Sequence, residues 1–243
     1  MIQIFKDIEQ LSIAGAELFV QTAQKAIQEN GRFTVALTGG SSPVKLYSLL
    51  AKKPYAQQIE WDKVFVFWGD ERWVPLDDEK SNAKMAFEML LNHVPVPRNQ
   101  IFPMWSDQFT PEDFADEYVQ SLQQQLGTSL QFDLILLGMG DDGHTASLFP
   151  GTDVLQEQSA SVKAYYLAPQ QMYRITLTAP LINQAKKIAF IVYGSNKAQV
   201  LHEVLTGNEE LAKYPSQLIH PLNGETFWLL DEAVASSLTD QKD

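Results

Sequence analysis

At 243 residues, 45% of them hydrophobic and 20% charged, the chain is long enough for one large α/β domain with a sizeable core, and it shows neither a linker nor a low-complexity tail. The absence of cysteine excludes disulfides, thiolate metal sites and a cysteine nucleophile, so any nucleophile must be water or a hydroxyl. A formal net charge of −12 opposes binding of nucleic acid or an anionic membrane, and an anionic ligand would need a local basic pocket. No apolar run approaches the length of a membrane span, and the start Met1-Ile2-Gln3-Ile4-Phe5-Lys6-Asp7 lacks a signal-peptide pattern, so a cytoplasmic protein is expected.

Along the chain, Ile8, Leu11, Ala14, Leu18, Ala23 and Ile27 recur near the helical period and predict an amphipathic helix over 8–30, stopped by Asn30-Gly31. A buried strand is expected at 33–38, then a glycine turn and a helix over 44–50. Strands follow at 63–68 and 132–137, with helical stretches at 81–92 and 111–126 between them. Further strands are expected at 173–178, 187–193 and 226–230, with a helix over about 195–205. Strands alternating with helices predict a mostly parallel sheet flanked by helices, in one domain spanning 1–243. Ligands of such sheets bind beyond the carboxyl ends of the strands, which directs attention to the loops after 38, 68, 137 and 193.

The first of these, Thr38-Gly39-Gly40-Ser41-Ser42-Pro43, presents small residues and free backbone N–H groups at a helix start, where an anion such as phosphate fits. Ser41 or Ser42 as a plain helix cap explains the loop equally well. Neither a nucleotide P-loop ending nor a nucleophile elbow is present, since Pro43 stands where the elbow needs glycine. The second loop places Asp70, Glu71 and Arg72 between Trp68 and Trp73. Arg72 either pairs with an adjacent carboxylate or presents a planar guanidinium to a carboxylate or a developing oxyanion. Ser81-Asn82 reads as a helix cap, with a contact supporting the site residues as the alternative.

The third loop, Gly138 to Pro150, sets His144 among three glycines with Asp141 and Asp142 beside it. Its formal match to a dinucleotide fingerprint is weak, because two aspartates in the turn would oppose a pyrophosphate. An imidazole titrates near physiological pH, and the glycine turn aims this one at the expected site, where it suits a general base. Arg174 on a strand and Lys197 at a strand end are phosphate candidates, with exposed ion pairs as the plain alternative. His93, His202 and His220 lack glycine turns and read as structural, and no two histidines have the spacing of a helical metal site, so no catalytic metal is expected.

Five ordered segments, Thr38 to Pro43, Phe67 to Arg72 with Val74-Pro75 and Ser81-Asn82, Gly138 to Gly151, Arg174 to Thr178 and Gly194 to Ala198, resemble the glucosamine-6-phosphate isomerase/6-phosphogluconolactonase family over nearly the whole chain. The resemblance implies a modified Rossmann-like α/β fold, no cofactor, and hydrolysis of a small phosphorylated sugar lactone, 6-phosphoglucono-1,5-lactone, in the oxidative pentose phosphate pathway. It implies that Gly40, Ser41, Ser42, Arg174 and Lys197 hold the phosphate, that His144 activates water, that Arg72 stabilises the substrate or intermediate, and that Asp142 orients His144 or the water, with Asp70 as a further catalytic carboxylate. The deaminase branch of the family carries a glutamate where this chain has Phe149, and an apolar ring cannot assist proton transfer, which favours lactone opening. Two rivals remain: a deaminase-isomerase using Asp70 for proton transfer, and a sugar-phosphate-binding regulator without catalysis. The oligomeric state is open, with a monomer slightly favoured.

Overall fold

The structure, a computed structural model, describes residues 1–239. Strand β1 (Ile2–Phe5) leads into helix α1 (Ile8–Asn30), whose first turn is capped by the Asp7 carboxylate accepting from the Gln10 N–H at 3.0 Å. Gly31 closes the helix in the left-handed conformation, φ 73°. The buried face of α1 runs through Leu11, Ala16, Phe19, Ala23 and Ile27, while Ala14 and Leu18 are only partly covered. The stripe is rotated from the expected one because Gly15 allows α1 to lie directly on Leu46 of the next helix.

Strand β2 (Phe33–Leu37), helix α2 (Val44–Leu50), strand β3 (Val64–Trp68) and the three-residue strand β4 (Asp70–Arg72) follow. Helix α3 (Asn82–Ala86) continues as a wider turn over Phe87–Leu91, so the expected 81–92 helix is present but changes its hydrogen-bond register. Then come α4 (Pro111–Leu126), β5 (Leu134–Leu137), β6 (Val162–Leu167), β7 (Met172–Leu177) and the short α5 (Ala179–Ile182). The described residues end with β8 (Lys187–Val192), a tight turn over Ser195–Lys197, α6 (Ala198–Thr206), β9 (Glu225–Asp231) and α7 (Glu232–Thr239).

Six strands form a wholly parallel sheet in the order β1-β9-β8-β5-β2-β3. Its central strands β2, β5 and β8 are apolar almost throughout, as a sheet covered on both faces requires. Helices α1 and α2 pack together on one part of the core, and α6 packs with α7. Strands β4, β7 and β6 form a separate antiparallel sheet, so the strand expected at 173–178 does not join the parallel one. The sheets meet at Gly69, whose N–H donates to Leu37 O at 2.8 Å while its carbonyl accepts from Leu177 N at 2.9 Å. Among the described residues no helix is long and apolar enough to cross a membrane.

Candidate active site

The carboxyl ends of β2, β3, β5 and β8 and the near edge of the small sheet enclose a cleft of about 240 Å³. Gly40, Ser41, Ser42, Asp70, Arg72, His144, Arg174 and Lys197 all line it, and Asp142 reaches it through His144. The structure thus brings together every residue expected at the site from three separate loops and two strands.

The glycine turn after β2 forms because Gly40 adopts φ 73°, open to glycine at no steric cost. Neither Ser41 nor Ser42 caps α2: Pro43 is the N-cap residue and no side chain bonds the helix start. The turn is held instead by Tyr193, whose hydroxyl donates to Ser41 O at 3.1 Å, and by buried Tyr47, which bridges the N–H and carbonyl of Thr38. The Ser41 and Ser42 side chains therefore remain available on the cleft wall.

After β5, Gly143 at φ 80° turns the chain so that Gly140 N–H donates to His144 O at 2.9 Å. The imidazole is fixed on three sides. Its Nδ1 lies 2.5 Å from Asp142 Oδ1, its face stacks on Phe149 at a 4.0 Å centroid separation and 22°, and it lies so close to Gly140 that a Cβ there would overlap the ring. With Nδ1–H donating to the carboxylate, the Nε2 lone pair is left for the cleft. Partial burial pushes the Asp142 carboxyl up, but hydrogen bonding to His144 and the charge of that ring outweigh it and hold the group below its ordinary value.

Arg72 and Arg174 stand opposite one another across the β4–β7 ladder. Arg72 makes no ion pair with Asp70 or Glu71; its Nη1 donates to Lys80 O at 2.8 Å and its buried Nε has no partner. Arg174 is 4% exposed, donates through Nη2 to Gln170 Oε1, lies 3.9 Å from Asp70 through Nη1, and rests on the Phe149 ring at 5.3 Å. Its Nε is also buried without a partner. Burial lowers the Arg174 pKa, Asp70 opposes that effect, and Arg72 adds to it. Lys197 donates to Met139 O at 2.5 Å and is lowered by burial against the opposing pull of Asp141 and Asp142. Two guanidinium groups and an ammonium around one cleft make an anion-binding wall in an otherwise acidic protein.

Asp70 lines the cleft but is tied down: its Oδ2 accepts from the Ser147 hydroxyl at 2.6 Å and its Oδ1 lies 3.4 Å from Asn82 Nδ2. Glu71 is fully buried and accepts from the N–H groups of Arg72, Asn82 and Ala83 at 2.7 to 2.8 Å and from Ser81 Oγ at 3.1 Å. Burial pushes its carboxyl up to about 7 against those donors. Ser81 caps α3 as expected, accepting from Lys84 N at 3.1 Å, but Asn82 lies in the cleft wall rather than serving only the helix. Gln170 was also not anticipated: it sits at the tip of the β6–β7 hairpin, and only the alternation in Val162–Leu167 could have revealed that hairpin. His93, His202 and His220 lie outside the cleft.

A family model described as glucosamine-6-phosphate isomerases/6-phosphogluconolactonase matches residues 6–228. The chain is 41% identical over 218 residues to a 6-phosphogluconolactonase of Synechocystis sp., covering 88% of each protein, and 38% identical to one of Nostoc sp., covering 98% of each. Among solved structures, the 6-phosphogluconolactonase of Trypanosoma brucei superposes with a TM-score of 0.85 at 27% identity, over 98% of both chains. A monomeric glucosamine-6-phosphate deaminase shares the fold, with a TM-score of 0.83 at 22% identity and 97% and 99% of the two chains covered. By sequence, by fold and by the residues gathered in its cleft, the chain belongs to the glucosamine-6-phosphate isomerase/6-phosphogluconolactonase family.

Proposed function

We propose that this protein hydrolyses 6-phosphoglucono-1,5-lactone to 6-phosphogluconate, with His144 as the general base. The observation that carries this reading is the 2.5 Å contact between His144 Nδ1 and Asp142 inside a cleft that also holds Arg174, Lys197 and the Gly40–Ser42 turn. His144 Nε2 removes a proton from water as the water oxygen adds to the lactone carbonyl carbon. The carbonyl π electrons move to oxygen, and the tetrahedral oxyanion is stabilised by the Arg72 guanidinium. When the carbon to ring-oxygen bond breaks, the imidazolium returns its proton to that oxygen, giving the carboxylic acid and a free hydroxyl. Gly40, Ser41, Ser42, Arg174 and Lys197 hold the phosphate remote from the reacting carbon. Asp142 keeps His144 in the right tautomer, while Asp70, bonded to Ser147 and close to Arg174, stands beside Arg72 as the second carboxylate of the catalytic set. A cytoplasmic, monomeric enzyme that needs no cofactor belongs to the same proposal.

Phe149 supports lactone opening over deamination, since its ring covers the face of His144 and supplies no proton-transfer group there. The test is to generate the lactone and follow 6-phosphogluconate with and without the protein. A rate no greater than spontaneous hydrolysis would remove the proposal.

A further inference from the structure

Beyond the bond between Gly69 and Leu37, Asn82 joins two walls of the cleft through its side chain. Its backbone N–H donates to Glu71 Oε1 at 2.7 Å, and its Nδ2 donates to Asp70 O at 2.9 Å, so both ends of the residue are held by β4. The carboxamide then projects across to the glycine turn after β2 and lies against Gly39 so closely that a Cβ on Gly39 would overlap it. Gly39 itself does not have the positive φ of Gly40, so nothing in its backbone demands glycine; Asn82 is what excludes a side chain there. The residue is 2% exposed, and its Oδ1 is buried with no hydrogen-bond partner, which a merely structural asparagine at that depth would be expected to have.

We infer that Asn82, anchored by Glu71, is a positioning residue that sets the spacing between the glycine turn and the Asp70–Arg72 strand, and so between the phosphate end and the oxyanion end of the cleft. The inference rests on the proposed lactone hydrolysis for its kinetic readout. A substrate spanning both walls feels any change in their separation, and a misplacement of about 1 Å can cost on the order of 10²-fold in rate. A lactone without a phosphate touches one wall and is indifferent to the spacing.

The two contacts allow a double-mutant cycle. Gly39→Ala forces Asn82 aside and should lower kcat/KM for the phosphorylated lactone by about 10². Asn82→Ala should lower it by about tenfold, mainly through KM, with less than a threefold change for glucono-1,5-lactone. The double variant should match Asn82→Ala within about threefold, because the methyl group then occupies vacated space, whereas independent effects would multiply to about 10³. Asn82→Leu keeps the bulk against Gly39 and loses the hydrogen bond to Asp70, and it should behave like Asn82→Ala if the latter does not fold. Multiplicative losses in the cycle, equal losses on both lactones, or an Asn82→Leu enzyme indistinguishable from the parent would each overturn the inference. A parent protein that turns over neither lactone would instead refute the proposed function, and coupling between the two sites would then be read from thermal unfolding of the same four proteins.

Discussion

Arg72 and Arg174 are direct cross-strand partners on β4 and β7, and both reach the same cleft. Like charges opposed in a ladder are destabilising, and Arg174 is already lowered by burial with a further contribution from Arg72. An anion bound against Arg174 and Lys197 relieves that repulsion. Inorganic phosphate or 6-phosphogluconate should therefore raise the melting temperature of the parent protein as its concentration passes the Kd. The shift should shrink in Arg174→Ala and in Lys197→Ala, and calorimetric melts at fixed ionic strength decide it.

For turnover, Arg174→Ala or Lys197→Ala should raise KM for the phosphorylated lactone well before kcat falls, since contacts remote from the carbonyl contribute chiefly to binding. The same changes should matter little for glucono-1,5-lactone. Equal losses on both substrates would show that these side chains do not read the phosphate.

His144→Ala should lower kcat by about 10² to 10⁴ while 6-phosphogluconate still binds, the usual worth of a positioned base. Activity should fall toward acid pH, because a protonated imidazole has no lone pair to accept the proton of water. Asp142, held below its ordinary value by His144, stays ionised further into the acid range and attracts that proton. Asp142→Asn should reduce kcat and move the acid limb of the pH profile; an unmoved limb would place the titrating group elsewhere.

Gly140→Ala tests the packing of the base without touching its chemistry. The added methyl group would overlap the imidazole and approach Asp142 Oδ1 at 2.8 Å, and the backbone there lacks a positive φ that would forbid alanine. The expected result is a fall in kcat of about 10² with circular dichroism unchanged. Full activity would mean that the ring has room to move and still work.

Glu71 makes a prediction about stability. Its folded value of about 7 lies above the ordinary 4.5, so the folded protein keeps this proton through a window in which the unfolded chain releases it. Its contribution is therefore complete below pH 4.5 and is lost as pH rises toward 7, by at most about 3 kcal/mol. Urea unfolding across that range should show the parent losing stability relative to Glu71→Gln, which has no proton to release. Parallel curves would mean that the four donors around the carboxylate keep it ionised throughout.

The parallel sheet was legible because its strands are apolar runs bounded by glycine or polar turns, as in Phe33–Leu37 and Lys187–Val192. Strand β4 was not: Asp70, Glu71 and Arg72 carry no strand preference, and they are extended only because β7 pairs with them and Glu71 finds its donors in α3. Strand β1 is an edge of only four residues, with Ile2 and Ile4 exposed, so its pattern is faint. His144, Arg72, Arg174 and Lys197 stood out as candidates by their loops and charge, but an ion pair explained each cation as well, and only the family resemblance joined them into one site, the cleft they all line. Ser81-Asn82 stood out as a motif but not with its contact to Gly39, and Gln170 did not stand out at all, since its bond to Arg174 four residues on exists only because the chain turns back there between β6 and β7.

The junction at Gly69 has a mechanical consequence. One residue bonds the parallel sheet through its N–H and the antiparallel sheet through its carbonyl. The His144 loop follows β5 of the first sheet, whereas Arg72 and Arg174 ride on the second. Away from Gly69 the seam is closed by contacts of the His144 loop, the Ser147 hydroxyl on Asp70 and the Ser147 N–H on Thr176 Oγ1, so its backbone bonds can open locally while these contacts hold the halves together. The amides of Gly69 and Leu177 should then exchange with deuterium sooner than those of Val35 or Ile175 beside them, and more slowly once a ligand spans the gap.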